Sequence, residues 1–246
     1  MIAEIHNKLN GSLIYSIERL EDELTGNFFG TLRYLPFTRG IQRILLKYAY
    51  SENLEFQRIL NSITADEFDI EFWKRSEGNR EIDAVLEVAD VAIGIEVKYN
   101  SGLSGDEQLS IEAGMMNEWY GKQKKLLLFV AREEEAKKIY DTHKDILTNV
   151  CFGYLTWQNA LLGLNEIIAT SIFEERIVSD LKELLEHKGF MSFIGFQDVC
   201  GDVEIEKALF FAFENDEQEV FYNGIENIEI LPDLYFRFED KEEPYL

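Results

Sequence analysis

Glu81-Ile82-Asp83-Ala84-Val85-Leu86-Glu87-Val88-Ala89-Asp90-Val91-Ala92-Ile93-Gly94-Ile95-Glu96-Val97-Lys98-Tyr99 reads as two adjacent β-strands joined by a short reversal at Ala89-Asp90. Side chains two residues apart on a strand share a face. Glu96 and Lys98 therefore sit side by side, and Asp83 brings a second carboxylate from the neighbouring strand. Two carboxylates and an ammonium at a strand edge can form a site for a hard divalent cation and an activated water.

Upstream, Asp69-Ile70-Glu71-Phe72-Trp73-Lys74 alternates loosely and Ser76-Glu77-Gly78-Asn79 is a turn, so three consecutive strands form an antiparallel meander. Downstream, Ser101-Gly102-Leu103-Ser104-Gly105 is a loop and residues 106–120 have a helical pattern. A leucine-rich strand follows at 124–131, a helix at 133–147, a fifth strand at 150–156 and helices at 158–169 and 173–187. This helix–strand alternation predicts that strands four and five run parallel, covered on both faces. Near the start, Ile5, Leu9, Leu13, Ile17, Leu20 and Leu24 have helical spacing, with Asn10-Gly11-Ser12 and Thr25-Gly26-Asn27 as expected interruptions. Residues 28–35 are apolar and ambiguous. Pro36 closes them, and Thr38 is the expected cap of a long helix through Ile41, Leu45 and Tyr48 and beyond. The expected fold class is α/β: a three-layer αβα core with a mixed central sheet, an antiparallel meander plus parallel strands. Lys188-Gly189 is the expected boundary between a domain at 1–188 and a small, acidic, β-rich section at 189–246, with β-like stretches at 209–213, 218–222 and 228–238.

With 246 residues, 46% of them hydrophobic and 13% aromatic, the chain can bury one large core. The longest apolar run near the middle, 126–131, is far too short to span a bilayer, and the first residues lack the basic-then-apolar pattern of a signal peptide. Cys151 and Cys200 make neither a disulfide framework nor a metal spacing, which points to core thiols and a reducing, cytoplasmic setting. His6, His143 and His187 are scattered without ligand partners, and neither a nucleophile elbow nor a phosphate loop is present. The net charge is −23, and fifteen acids against Lys207, Arg237 and Lys241 put −12 of it into residues 189–246. Phosphate binding draws on local Lys and Arg. The acids read as a solubilising surface, and Lys122, Lys124 and Lys125 as solvated charge flanking a strand.

An acid, any residue, then Lys also occurs at Glu135–Lys137, Asp180–Lys182, Glu186–Lys188 and Glu239–Lys241. The first three fall in helical segments, where residues two apart do not face each other, and the last lies in the polar C-terminal end. Only Glu96–Lys98 lies in an apolar strand directly after an Asp-bearing strand.

Asp83, then Glu96-Val97-Lys98, then a helix carrying Gln108-Leu109, resembles the core of the PD-(D/E)XK nuclease superfamily, the restriction-endonuclease-like fold. The segment Glu21-Asp22-Glu23-Leu24-Thr25, with Phe29-Gly30-Thr31-Leu32-Arg33-Tyr34-Leu35-Pro36, is similar to the leading helix of one branch met in bacterial and phage-defence contexts. The resemblance covers about residues 15–160, and Ile82 stands where the name-giving proline would be. It implies that residues 1–188 are a nuclease-like domain hydrolysing phosphodiester bonds, in DNA first, in restriction or defence. It implies Mg²⁺, or Mn²⁺ in its place, held by Asp83, Glu96 and the backbone carbonyl of Val97. Glu21 would complete or orient the metal site, with Asp22 and Glu23 as substitutes. Lys98 would steady the attacking water and the developing charge, and Gln108 would position the substrate or Lys98. The loop at 101–105 would touch the phosphodiester backbone through its amides. Trp73 and Trp157 read as core residues rather than base-stacking platforms.

Two other functions compete: a catalytically inactive interaction subunit that keeps the fold and docks a protein partner, or a second copy, through its acidic surface; and a C-terminal section that acts as an autoinhibitory DNA mimic.

Overall fold

The structure, a computed structural model, describes residues 17–191 apart from 100–102, 104 and 106, with the backbone alone at 17–19. Its elements are α1 (Ile17–Leu32), α2 (Ile41–Tyr48), α3 (Leu54–Ser62), β1 (Asp69–Arg75), β2 (Glu81–Val88), β3 (Val91–Val97), α4 (Gln108–Trp119), β4 (Lys124–Ala131), α5 (Glu133–His143), β5 (Cys151–Thr156), α6 (Trp157–Gly163), a 3₁₀ turn (Leu164–Glu166) and α7 (Ile172–His187).

The five strands form one sheet in sequence order. β1, β2 and β3 pair antiparallel, and β3, β4 and β5 pair parallel. All seven residues of β3 are buried, as expected of a central strand covered on both sides. Ile93, Ile95, Leu126, Leu128 and Val130 face a layer that includes α1, α2, α3, α6 and α7. Ala92, Leu127 and Phe129 face α4 and α5 on the other side. This is the three-layer αβα core with a mixed sheet. A Cβ on Gly94 would stand 3.0 Å from Met116 Sδ and 3.2 Å from Leu127 Cδ1. The bare glycine lets α4 close onto β3, which sets how near the polar start of that helix comes to Glu96.

Several element boundaries differ from the sequence pattern, each for a tertiary reason. α1 runs through Thr25-Gly26-Asn27 without a break. Leu24, Phe28, Phe29 and Leu32 are almost wholly buried there, and that burial outweighs the ~1 kcal/mol cost of a mid-helix glycine. The helix expected to start at Thr38 begins at Ile41 after Gly40 and stops at Tyr48. Tyr50 then exchanges two backbone hydrogen bonds with Tyr154, at 2.8 and 2.9 Å, so the end of the sheet pulls the chain out of the helix. The helix expected at 158–169 ends at Gly163 and tightens into the 3₁₀ turn, after which the Ile168 amide bonds the Arg39 carbonyl at 3.1 Å.

The buried core reaches Phe190, which stacks on Trp157 at 5.7 Å between ring centroids. Residues 192–246, with Cys200 and most of the expected acidic section, and also His6, lie outside the described residues, as does most of the loop at 101–105. No helix among the described residues is long and apolar enough to cross a membrane.

Candidate functional site

Asp83 occupies an irregular point of the sheet. The β1–β2 ladder pairs Phe72 with Ala84 and Lys74 with Ile82 but passes over Trp73 and Asp83 between them. Trp73 has φ 50° there, a left-handed conformation that costs a bulky residue energy. Strand alternation breaks at the same place: Ile82 joins Val85 in the cluster under α4, whereas Ala84 and Leu86 face the opposite layer. The β2–β3 ladder runs from Val88–Val91 to Ala84–Ile95, and its next step sets Asp83 beside Glu96. The Val97 amide donates to Asp83 Oδ2 at 2.8 Å, which fixes the carboxylate across the two strand ends.

Lys98 follows β3 and lies on the same side as Glu96. Its Nζ is 2.6 Å from Glu96 Oε1 and 3.0 Å from Glu21 Oε1, with only 7% of the side chain exposed. The second oxygen of Glu21 accepts from the Tyr99 amide at 3.1 Å. The Lys98 backbone is pinned as well. Its amide donates to the Val130 carbonyl at 2.7 Å, and its carbonyl accepts from the buried Trp157 indole at 3.0 Å. From α4, Gln108 Nε2 donates to Glu96 Oε1 at 2.5 Å and to Glu112 Oε1 at 2.9 Å.

The structure thus brings Asp83, Glu96, Lys98, Glu21 and Gln108 into one cleft of about 320 Å³, whose walls also include Arg75, Arg80, Ile111 and Glu112. Asp22 accepts from the Trp73 indole at 3.1 Å, and Glu23 pairs at 3.7 Å with Lys188. Both thus have partners other than Lys98, while Trp73 and Trp157 are core residues. Lys124 pairs with Asp90, and Lys125 bonds carbonyls of its own turn.

Glu21, Asp83, Glu96 and Glu112 share this cleft with the single ammonium of Lys98, and Asp22 and Glu81 also line it. Burial, and then the charge of Glu96, push Asp83 well above the usual carboxylate range. Burial and Glu112 do the same to Glu96. Burial alone would pull Lys98 down, but Glu96, Asp83 and Glu21 together outweigh it and hold the ammonium above its ordinary value. Burial pushes Glu112 up to about 8. Buried acids whose ionisation is opposed, crowded beside a fixed cation, are a mark of sites built for chemistry or for a metal.

The donor set fits a hard divalent cation, since Asp83 and Glu96 offer carboxylate oxygens and Val97 a peptide carbonyl. Among the described residues no three acidic, His or Cys side chains are gathered around a single point. Mg²⁺ asks for less, because it keeps several waters and binds proteins through one or two carboxylates.

Glu112 is the site residue that sequence reasoning missed. Its signal was an acid at a core position: Leu109, Ala113 and Met116 form the buried stripe of α4, and Glu112, 2% exposed, sits within it. Its titration gives a stability prediction. The folded state keeps this proton up to about pH 8, whereas an unfolded Glu releases it near ~4.3. Between those values the folded state binds more protons, so stability falls as pH rises, by up to ~1.4 kcal/mol per unit, and levels off above about 8. In metal-free protein, the melting-temperature advantage of Glu112→Gln over wild type is expected to widen from pH 5 to about 8 and then stay constant. An advantage independent of pH would mean that Glu112 is ionised throughout.

No family model matches the sequence, and no curated protein matches it. Among solved structures, the chain is similar to the small subunit, R.BspD6I2, of the heterodimeric restriction endonuclease R.BspD6I. The TM-score is 0.29 and the identity 13%, over 68% of this chain and 95% of that one.

Proposed function

We propose that this protein is a divalent-metal-dependent nuclease that hydrolyses phosphodiester bonds in DNA, in the setting of restriction or phage defence. The observation that carries the reading is Lys98, an ammonium buried between Glu21 and Glu96 in a cleft that Asp83 also lines. Buried ion pairs add little net stability over apolar residues of the same volume, so a lysine kept here at that cost suits a chemical task.

A divalent cation held by Asp83, Glu96 and the Val97 carbonyl would neutralise phosphate charge and acidify a water. Lys98 Nζ carries N–H donors that can hold the attacking water and meet the charge that develops on the phosphate in the transition state. Glu21 and Glu96 fix the position of that ammonium, and Gln108 fixes Glu96. The Val97 amide fixes Asp83 on its side of the site.

The rim supplies what an acidic protein otherwise lacks for DNA. Arg75 and Arg80 border the cleft on the β1–β2 turn; Arg75 pairs with Glu81 at 2.8 Å and Arg80 is exposed. Arg80→Ala is expected to weaken DNA binding about threefold to tenfold at low salt and to shrink the slope of log K against log salt by ~0.9. Binding titrations at several salt concentrations check this, and an unchanged slope would remove Arg80 from the interface.

The direct test is incubation of the purified protein with plasmid, linear duplex and single-stranded DNA in Mg²⁺ or Mn²⁺. Cutting or nicking that disappears in Asp83→Ala and Lys98→Ala supports the reading; cutting that survives both counts against it. A second reading, a nuclease-fold subunit without activity that docks a basic partner, is favoured by the net charge of −23 and by the engagement of Lys98 by two carboxylates. Calorimetry that detects no Mn²⁺ uptake would select it.

A further inference from the structure

Both strands of the β1–β2 pair change face at one point. Successive strand residues ordinarily point to opposite faces, yet Phe72 and Trp73 both join the buried cluster that contains Leu24, Phe28 and Leu32 of α1. Lys74 then turns to the other side, where its Nζ bonds the Tyr120 hydroxyl at 2.9 Å. β2 makes the same change opposite: Ala84 lies in the cluster with α1, and Ile82 in the cluster with Tyr120. Trp73, at φ 50°, and Asp83 are the pair that the ladder passes over between these two faces. A bulky residue persists in a left-handed conformation only where its surroundings hold it there. Here the buried Trp73 indole donates to Asp22 Oδ1 at 3.1 Å.

Asp22 follows Glu21 on α1, and both line the cleft. Glu21 fastens the helix to Lys98 and to the Tyr99 amide just past β3, while Asp22 fastens it to β1. We propose that Asp22 and Trp73 are positioning residues for the cleavage reaction: their bond holds the face reversal of β1 and β2 against α1 and so fixes Asp83 relative to Glu21 and Lys98. This deepens the nuclease reading and rests on it.

Three observations support the assignment. Among the described residues, Trp73 is the one left-handed residue that lies within a strand; Asn79, Ala89 and Asn149 lie between elements. Strain of this kind collects at functional sites, and this instance stands directly opposite a cleft carboxylate. The acceptor is a carboxylate, and hydrogen bonds to ionised groups are shorter and stronger than neutral ones, which suits a contact that has to hold a strained residue. The bond also joins two layers. The Val97 amide ties Asp83 to β3, and the Asp22–Trp73 bond adds a tie from the strand on the other side of Asp83 to the helix that carries Glu21. A reacting group misplaced by about 1 Å can cost on the order of 10² in rate, so a tie of this kind is read in turnover.

The test is steady-state cleavage of DNA by the full chain in Mg²⁺, with Mn²⁺ calorimetry and melting curves, on wild type, Trp73→Phe, Asp22→Ala and Asp22→Asn. Trp73→Phe keeps an aromatic ring and removes the N–H donor. Asp22→Asn keeps an accepting oxygen and removes the charge. Trp73→Phe and Asp22→Ala are expected to lower kcat by about tenfold to a hundredfold, with KM for DNA within about threefold, whereas Asp22→Asn should keep kcat within about threefold of wild type. Arg39→Ala measures plain destabilisation, because it removes the bonds to Glu174 at 2.9 and 3.0 Å and neither residue lines the cleft. It should lower the melting temperature and leave kcat unchanged. Wild-type kcat in both Trp73→Phe and Asp22→Ala would overturn the positioning role and leave the nuclease reading standing. So would an Asp22→Asn as impaired as Asp22→Ala beside a fully active Trp73→Phe, which would make Asp22 a ligand in its own right. Absence of both cleavage and Mn²⁺ uptake in wild type would overturn the nuclease reading and, with it, the role of this bond in cleavage.

Discussion

Lys98→Ala is expected to abolish metal-dependent cleavage, by a factor of about a thousand or more, and to lower the melting temperature at pH 7. The two effects have different origins. In the reaction, Lys98 is the only ammonium within bonding distance of both Glu21 and Glu96 among the described residues. Removing a single preorganised charge-stabilising donor costs on the order of 10²–10³ in rate, and here the same group also orients the water. In the fold, truncation leaves Glu96 and Glu21 facing each other without a cation. Breaking a buried pair in this way costs roughly 3–5 kcal/mol, which at 2–4 °C per kcal/mol for a chain of this size is on the order of 10 °C. The loss should shrink at pH 5, because Glu96, whose ionisation burial already opposes, takes up a proton more readily there. Scanning calorimetry at pH 5 and 7 measures the stability term, and single-turnover cleavage measures the chemical one. Cleavage within tenfold of wild type would remove Lys98 from the reaction. A melting temperature unchanged at both pH values would show that the ion pairs with Glu21 and Glu96 do not form.

The strand that carries the candidate site was legible because its chemistry breaks its own pattern. A strand that is apolar throughout, yet carries Glu96 and has Lys98 two positions on, invites a question that a solvated Glu-X-Lys in a helix does not. The antiparallel meander and the parallel pair β4–β5 were legible from periodicity and alternation. What sequence could not give was the set of contacts made between layers. Glu21 looks like one acid among three in Glu21-Asp22-Glu23; only packing shows that Glu21 reaches Lys98, Asp22 the Trp73 indole and Glu23 Lys188. Glu112 was hidden differently. A lone acid in the apolar stripe of a helix is a visible anomaly, but only the closure of α4 onto β3 shows that Gln108 bonds Glu112 and Glu96 together. The distortion at Trp73, which accompanies the irregular placement of Asp83, has no sequence signal, because nothing in Phe72-Trp73-Lys74 asks for a left-handed residue.

Asp83→Asn is expected to move activity and stability in opposite directions, which sets it apart from a merely structural substitution. Asn can keep the hydrogen bond from the Val97 amide, since its Oδ1 accepts as Asp83 Oδ2 does at 2.8 Å. What it removes is a carboxylate whose ionisation burial and Glu96 both oppose. A group held well above its ordinary value gives up stability as pH rises from the unfolded value near ~3.9. The neutral amide escapes that penalty, so metal-free Asp83→Asn should melt above wild type at pH 7, with the gap closing toward pH 4. Cation binding should respond the other way. An amide oxygen is a weaker ligand than a carboxylate for a hard ion, and its loss should weaken Mn²⁺ at the Asp83–Glu96 position by at least about tenfold, while cleavage falls by about a thousandfold. Added Mn²⁺ should therefore raise the melting temperature of wild type more than that of Asp83→Asn, by mass action on the folded state, and reverse their order. A variant that melts lower than wild type with unchanged Mn²⁺ affinity would make Asp83 a clamp for the Val97 amide and nothing more. Retained cleavage would then shift the search for the metal ligands to Glu96 and Glu112.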